Sequence, residues 1–582
     1  MRELSLEGFR EIWSVDFEFL SSPGELPIPV CVVAWEFLSR RKLRFWKDDL
    51  RDMTEPPYAL DKDCLFVSYY SSAEIGCHLA LGWSLPENNL DLYPEFRNLT
   101  NEKRLPCGKG LVGALAWFGL NGIGTLQKEN MRDLILRGPP WTSEERSMIL
   151  EYCESDVATL VQLLRKMAPL LDLPRALLRG RYMKAVARIE QTGTPIDVAS
   201  LRLFQKHWDE IKMALISRID SNYGVYDEQT FKAERFRKWL IKNGIPWPHL
   251  DSGNLDLKDE TFKERARVYP QINSLRELRV ALSRLRLADL AVGKDGRNRC
   301  MLSAFQTKTG RNAPSNSKFI FGPAVWLRSL IKPACGHGLA YIDWSQQEFG
   351  IAAALSRDQL MMDAYRSGDS YLEFAKQAGA VPPDATKESH PREREQFKAC
   401  VLGVNYGMGE QALARRIGQP AIVARDLLRL HRQTYKSFWR WSDGALDYAK
   451  LYGKIQTTFG WSIHTNASSN SRMLRNFPVQ ANGSEMLRLA CSLVTEKEIK
   501  ICAPVHDALL IEAPLKDLDY AIEITRRSMA KASAIVLEGF KLQTDVKVVR
   551  YPERYMDPRG VEMWKMVWDI LQHLGIDRTP SI

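Results

Sequence analysis

The chain has 582 residues, with 81 Lys+Arg against 71 Asp+Glu for a formal charge of +10, and 45% hydrophobic to 26% charged residues. That length is too great for one compact domain and leads us to expect roughly two to four, while the composition excludes wholesale disorder. No apolar run reaches the roughly 18 residues that span a bilayer, and the opening Met1-Arg-Glu-Leu-Ser-Leu-Glu carries acids where a signal peptide needs an apolar stretch, so the chain reads as soluble and not exported. The ten cysteines are scattered with no Cys-x-x-Cys pair, which argues against a zinc site and a disulfide framework. The modest charge fits solubility and nucleic-acid binding about equally. Basic residues set beside catalytic carboxylates would separate the two.

In chain order, residues 12–19 mix β-branched and aromatic residues in near alternation and predict an early strand, with further strands at 30–37 and 64–69. Residues 143–171 read as a helix with Thr142 or Ser143 as N-cap and acids in its first turn. Strands followed by helices over about 170 residues describe an α/β or α+β domain. From about 200 to 292 the pattern is helical and dense in charge. Within it, 275–290 interleaves leucines at helical spacing with arginines, either a solvated face or an arm laid along phosphates. The turn-rich Lys294-Asp-Gly-Arg-Asn precedes Leu339-Ala-Tyr-Ile-Asp-Trp-Ser, a buried strand ending in an acid, and helices dominate from about 346 to 452. Residues 501–512 read as two apolar strands joined at His506-Asp507, and no internal repeat is present.

Two groups of carboxylates stand out. Asp16 and Glu18 sit two apart on the first strand and therefore project from one face, while Tyr152 and Asp156 form an i, i+4 pair on a helix. Phosphodiester hydrolysis by two metals needs three or four carboxylates around ions roughly 4 Å apart, plus a group that orients water, and a tyrosine beside the last acid suits that task. The second group is Asp343 at a strand end and Asp507 in the later hairpin turn, a placement that suits two-metal phosphoryl transfer. Between them, Arg394, Lys398, Leu402 and Tyr406 recur every four residues, so one helix face would present two cations and then two flat or apolar groups. A triphosphate fits the first half of that face and a base the second.

These residues resemble the DNA polymerase I-like family A DNA polymerases over nearly the whole chain. Asp343-Trp-Ser-Gln-Gln-Glu348 is similar to the family's first palm motif, which implies Asp343 as a metal ligand, Gln346 at the nucleotide site and Glu348 as the side chain that crowds the sugar 2′ position. Arg394 to Gly407 resembles the fingers helix, with Arg394 and Lys398 on the incoming triphosphate and Tyr406 near the nascent pair. Val505-His506-Asp507-Ala508 resembles the last palm motif, with Asp507 as second ligand and His506 on DNA. Thr309-Gly310-Arg311 is similar to the template-primer motif, and Arg472-Met-Leu-Arg-Asn476-Phe-Pro-Val-Gln480 to the segment whose Arg, Asn and Gln touch DNA.

The amino half resembles the family's 3′→5′ proofreading exonuclease, with Asp16 and Glu18 in its first motif and Tyr152 with Asp156 in its third. The second motif should supply an aspartate, and Glu74 stands in that place as the substitute ligand. Other departures are Leu402 where an aromatic residue is usual, Tyr371 where a histidine is usual, and Ala508 where an acid usually follows the last palm aspartate.

The resemblance implies an α/β and α+β multidomain chain: an RNase H-like exonuclease domain at 1–175, then a right-hand polymerase at 176–582, with thumb at about 200–300, fingers at about 346–464, and palm at about 301–345 and 465–582. It implies DNA-templated DNA polymerisation with proofreading, two Mg2+ per active site (Mn2+ as an alternative), primer-template DNA and dNTPs as partners, and a monomer in the cytoplasm. Because Asp16 lies near the start, no 5′ nuclease domain is expected, which suggests a bacteriophage setting and a host cytoplasm. Some such polymerases serve genomes with a modified purine such as 2-aminoadenine. The rival readings are a 3′→5′ exonuclease with an inactive polymerase half and a non-catalytic DNA-binding factor.

Overall fold

Strand β1 (Glu11–Leu20) is the centre of a five-stranded sheet in the computed structural model, which describes residues 6–121, 125–284, 287–322, 324–405, 407–466 and 468–576. The order is β3-β2-β1-β4-β5: β2 (Ile28–Glu36) and β3 (Lys42–Trp46) run antiparallel, whereas β4 (Cys64–Ser68) and β5 (Asn88–Asp91) extend the sheet in parallel. Trp13, Val15 and Phe17 enter one apolar cluster, so the even-numbered residues of β1, Asp16 and Glu18 among them, face the other side. The three strands expected from sequence form. The other two carry little local signal: β3 is a short, charged edge and β5 reads Asn-Asn-Leu-Asp, a poor strand former held by pairing to β4.

Helices α1 (Ser72–Leu81), α2 (Thr125–Arg137) and α3 (Ser143–Met167) surround β1. Thr142 caps α3 reciprocally: Glu145 N–H donates to Thr142 Oγ1 at 3.1 Å and Thr142 N–H to Glu145 Oε2 at 2.8 Å. Helix α4 (Leu173–Thr192) then runs against β5 on one side and the second half of the chain on the other. Its Gly180 is required there, because a Cβ would lie 1.7 Å from the Asn89 carbonyl oxygen. The expected division at 175 falls in the first turn of this shared helix.

Helices Val198–Lys206, Trp208–Asp220, Ala233–Lys242, Asp259–Val268 and Asn273–Arg284 build a second core around Phe204, Leu215, Phe236 and Phe262, closed by the C-terminal helix Val561–His573. Two arginines of the 275–290 stretch serve neither a solvated face nor an arm for phosphates. Arg276 Nε hydrogen-bonds Asp259 Oδ1 at 2.9 Å, and Arg279 lies 4.2 Å from both the Phe231 and Phe262 rings.

The third part is an antiparallel sheet of four strands, β6 (His337–Trp344), β9 (Lys500–Val505), β10 (Ala508–Pro514) and β11 (Thr544–Arg550), in the order β9-β10-β6-β11. Ile342 and Val546 bury one face of it in the largest core. Helices α5 (Gln347–Ser356) and α6 (Pro391–Asn405), the hairpin β7 (Lys454–Gln456) and β8 (Ser462–His464), and the long α7 (Ser471–Thr495) complete this part. All ten cysteines are free, and among the described residues no helix is long and apolar enough to cross a membrane.

Candidate active sites

Asp343 is the penultimate residue of β6, and Asp507 occupies the tight turn between β9 and β10. The β6–β10 register pairs Asp343 with Ala508, so the turn brings Asp507 alongside, and Trp344 N–H donates to the Asp507 carbonyl at 3.4 Å. Burial, and then the charge of Asp507, push the Asp343 carboxyl up to about 7; burial likewise raises Asp507. Asp343 Oδ1 is buried without a hydrogen-bond partner. His506 makes the turn at φ +57, a strained conformation for a residue with a Cβ, and burial lowers its pKa.

A cavity of about 540 Å³ opens beside the aspartates, lined by Arg311, Gln346, Glu348, Tyr371, Leu402 and His506. Four of the expected nucleotide residues thus meet at one place. Arg311 Nη2 lies 3.9 Å from Glu348 Oε1. Arg394 and Lys398 stand further up α6 and are engaged with acids: Arg394 Nε donates to Asp369 Oδ2 at 2.5 Å and Nη1 to Glu395 Oε1 at 2.9 Å, while Lys398 Nζ is 3.4 Å from Glu395. Tyr406 lies outside the described residues. Arg472, Asn476 and Gln480 share a face of α7. The first two line a separate cavity of about 720 Å³ with Arg429, Arg432, Lys436 and Trp439.

The N-terminal acids also converge. Asp16 and Glu18 come from β1, Glu74 from the first turn of α1, and Tyr152 and Asp156 from α3. The β1–β2 register shifts between Glu18 and Phe19, an irregularity beside the acids after which Phe19 pairs with Pro29 and Leu20 with Ile28. Asp16 is pushed up to about 7 by burial and then by Asp156, and Glu18 and Glu74 are raised further by burial and then by Asp16. Glu74 Oε2 is buried with no hydrogen-bond partner. Two members were missed from sequence: Cys153, whose thiol donates to Asp16 Oδ2 at 3.4 Å, and Lys128, whose Nζ is 2.9 Å from Asp156. Neither belongs to a recognisable spacing. Ligand atoms of Asp16, Glu18 and Cys153 all lie within 4.8 Å of one another.

Paired aspartates thus stand at the end of an antiparallel sheet that follows one helical part and is joined by another, and the comparisons give the class of protein that carries them. Residues 257–551, half of the chain, match the family described as DNA polymerase family A, and the chain belongs to that family. It is 24% identical over 437 residues to DNA polymerase I of Aquifex aeolicus, covering 68% of this chain and 74% of that one. DNA polymerase I of Caldicellulosiruptor bescii is 30% identical over 251 residues, 39% of this chain and 29% of its own length. The DNA polymerase of Mycobacterium phage D29 is 26% identical over 253 residues, 42% of this chain and 41% of its own. The fold is similar to the POL domain of Pol1 from M. smegmatis, solved in complex with DNA primer-template and dNTP, with a TM-score of 0.70 and 18% identity over 94% of this chain and 98% of that one.

Proposed function

We propose that the chain is a DNA-templated DNA polymerase that extends a primer 3′ end with dNTPs at Asp343 and Asp507 and trims mispaired ends at Asp16, Glu18, Glu74 and Asp156. The observation that carries the polymerase reading is the Asp343–Asp507 pair at the mouth of the 540 Å³ cavity. The donors there are carboxylate oxygens, one of them buried and unpartnered, which fits a hard divalent cation such as Mg2+, with Mn2+ as the alternative. Two such ions would lower the charge barrier to attack of the primer 3′ hydroxyl on the α-phosphorus, with loss of pyrophosphate.

The protein's own groups orient the reactants. Glu348 and Tyr371 shape the sugar side of the cavity and Leu402 supplies an apolar wall for the base. Arg394 and Lys398 must exchange Asp369 and Glu395 for a triphosphate, which gives nucleotide binding a built-in competitor. Arg311, His506, Arg472, Asn476 and Gln480 are assigned to primer-template DNA.

For the N-terminal site the support is the convergence of Asp16, Glu18 and Glu74, all three raised by burial, with Asp156 and Tyr152, and the 3-2-1-4-5 strand order of an RNase H-like exonuclease domain. Asp16, Glu18, Glu74 and Asp156 would hold its metals. Burial and then Asp156 hold the Tyr152 hydroxyl far above its ordinary pKa, so it stays a neutral donor able to orient water. The wider reading is thumb at about 200–300, fingers at about 346–464 and palm around them, in a monomeric replicative enzyme of bacteriophage type working in a host cytoplasm.

One gel of an end-labelled primer on a template, with Mg2+ and with or without dNTPs, tests both activities. The wild-type protein is expected to extend with dNTPs and to shorten a mispaired end without them. Asp343→Ala should lose only extension and Asp16→Ala only shortening. Shortening with no extension would favour an exonuclease with an inactive polymerase half. Offering 2-aminoadenine nucleotide opposite thymine, against dATP, tests the modified-purine setting.

A further inference from the structure

The helix Lys436–Tyr452 buries one side, with Phe438, Ser442, Leu446 and Ala449, and leaves the other in water. Along the ridge made by every fourth residue, Lys436, Arg440, Gly444, Tyr448 and Tyr452 are all exposed. Two cations are followed by a position without a side chain and then by two rings. Tyr448 is 46% and Tyr452 61% exposed, and their ring centroids lie 4.5 Å apart. Single exposed apolar residues are ordinary, whereas a cluster of large ones marks a surface that is covered in use. Leu451, also exposed, adjoins the two rings.

Both ends of the ridge run into positive surface. At its start Lys436 lines the 720 Å³ cavity together with Arg429, Arg432 and Arg472. At its end Thr465 N–H donates to the Gly453 carbonyl at 2.9 Å and Thr465 Oγ1 to the Ala449 carbonyl at 2.6 Å, which seats the end of β8 against the last helical turn. There Lys454 pairs with His464 across the hairpin. Burial lowers the pKa of His464, and so do the charges of Lys103 from the N-terminal half and of Lys454. The positive potential therefore reaches the joint between the two halves.

The acids of the helix do not cancel it. Asp443 is held by Arg475 at 2.6 Å and Arg432 at 3.1 Å, and Asp447 is the one exposed acid on the helix. Among the described residues neither Lys436 nor Arg440 forms an ion pair. Cations that track phosphates, followed by aromatic rings on which bases stack, are the two components of a surface for single-stranded nucleic acid. A duplex cannot use the rings, because its bases already stack on one another.

We infer that the exposed ridge of the helix Lys436–Tyr452 is a docking surface for single-stranded DNA, taken by the unpaired template ahead of the nascent pair, with phosphates on Lys436 and Arg440 and bases on Tyr448 and Tyr452. The inference rests on the polymerase reading above, yet none of these four residues belongs to the motifs that carry that reading. The ridge is about 24 Å long at about 1.5 Å per residue. An overhang of about ten nucleotides spans it even at the ~3.4 Å spacing of a stacked strand.

The test uses the full chain carrying Asp16→Ala, so that trimming does not erode the DNA, and the same chain with either Tyr448→Ser and Tyr452→Ser or Arg440→Gln added. Melting transitions check the fold. Each protein is titrated by fluorescence anisotropy against two dideoxy-terminated primer-templates that share a duplex, one with a single unpaired template nucleotide and one with a 5′ overhang of about ten. The parent is expected to bind the long overhang more tightly. The double tyrosine variant should lose about tenfold in affinity for the long overhang and nothing for the short one. Arg440→Gln should reduce the slope of log affinity against log salt by about 0.7 on the long overhang alone. Equal affinity of the parent for both DNAs, or a tyrosine variant that loses nothing or loses equally on both, overturns the inference. An unaltered overhang preference, with self-association in sedimentation that the tyrosine variant abolishes, also overturns it and makes the rings a contact between copies of this chain. If the parent binds neither DNA and does not extend an ordinary primer, it is the polymerase reading that fails.

Discussion

Lys128 Nζ lies 2.9 Å from both carboxylate oxygens of Asp156, so a protein cation is seated inside the N-terminal acid cluster. Its charge lowers the pKa of Asp16 and Glu18, against the burial that raises them. A metal entering this site must displace that ammonium. Lys128→Met should therefore lower the Mg2+ needed for half-maximal trimming of a single-stranded 3′ end at alkaline pH by about fivefold, worth ~1 kcal/mol for one partly exposed charge. A Mg2+ titration of trimming checks it, and a higher Mg2+ demand in the variant would instead make Lys128 a contact to the scissile phosphate.

Metal dependence should also vary with pH. Asp16 and Asp343 are each pushed from 3.8 up to about 7. Between those values the folded chain keeps protons that the unfolded chain has lost, so both groups make stability fall as pH rises through about 4 to 7. His78, lowered to about 4, and His431, lowered to about 3, act oppositely, and their stabilising effect is lost as pH drops below about 6.5. A divalent cation replaces the carboxyl protons and leaves the histidines untouched. The rise in Tm on adding Mg2+ is thus expected to be small near pH 5 and to grow toward pH 8. A Mg2+ shift that ignores pH in differential scanning fluorimetry contradicts the assigned sites.

Glu348 lines the 540 Å³ cavity within 3.9 Å of Arg311, and in the function proposed above its carboxylate is the bulk that a ribose 2′ hydroxyl would meet. Glu348→Ala is expected to raise ribonucleotide insertion relative to deoxyribonucleotide insertion by about 10- to 100-fold, the range available from one pocket contact. Single-nucleotide kcat/KM values for each substrate measure the ratio. No change in it removes Glu348 from sugar selection.

Much of the site is legible in sequence because local signals coincide with it. An apolar run ending at Asp343, a hairpin turn at Asp507 and a spacing of four from Arg394 to Leu402 each survive into β6, the β9–β10 turn and α6. What is not legible depends on distant partners. Arg394 is held by an acid 25 residues away, and Arg279 turns inward because Phe231 and Phe262 flank it. The net charge of +10 carries none of this, since position and not total decides which cations face substrate.

Arg179 joins the two halves of the chain. From α4 its Nε and Nη2 donate to Glu95 Oε1 and Oε2 at 2.5 and 2.7 Å, and its Nη1 to the Phe459 carbonyl at 3.3 Å, beside the β7–β8 hairpin. Both are buried, Arg179 5% and Glu95 2% exposed. Removing one partner strands the other charge in a low-dielectric interior, which costs roughly 3–5 kcal/mol, whereas removing both leaves no orphan. Arg179→Met should therefore lower the urea midpoint more than the double substitution Arg179→Met/Glu95→Gln, and the single variant should loosen the contact between the N-terminal domain and the β7–β8 hairpin. Hydrogen exchange at Ser462 and His464, whose N–H groups donate to Asn98 Oδ1 and the Asn101 carbonyl, reports that contact directly. Equal midpoints for single and double variants would show that the pair contributes shape and not charge balance to the joint.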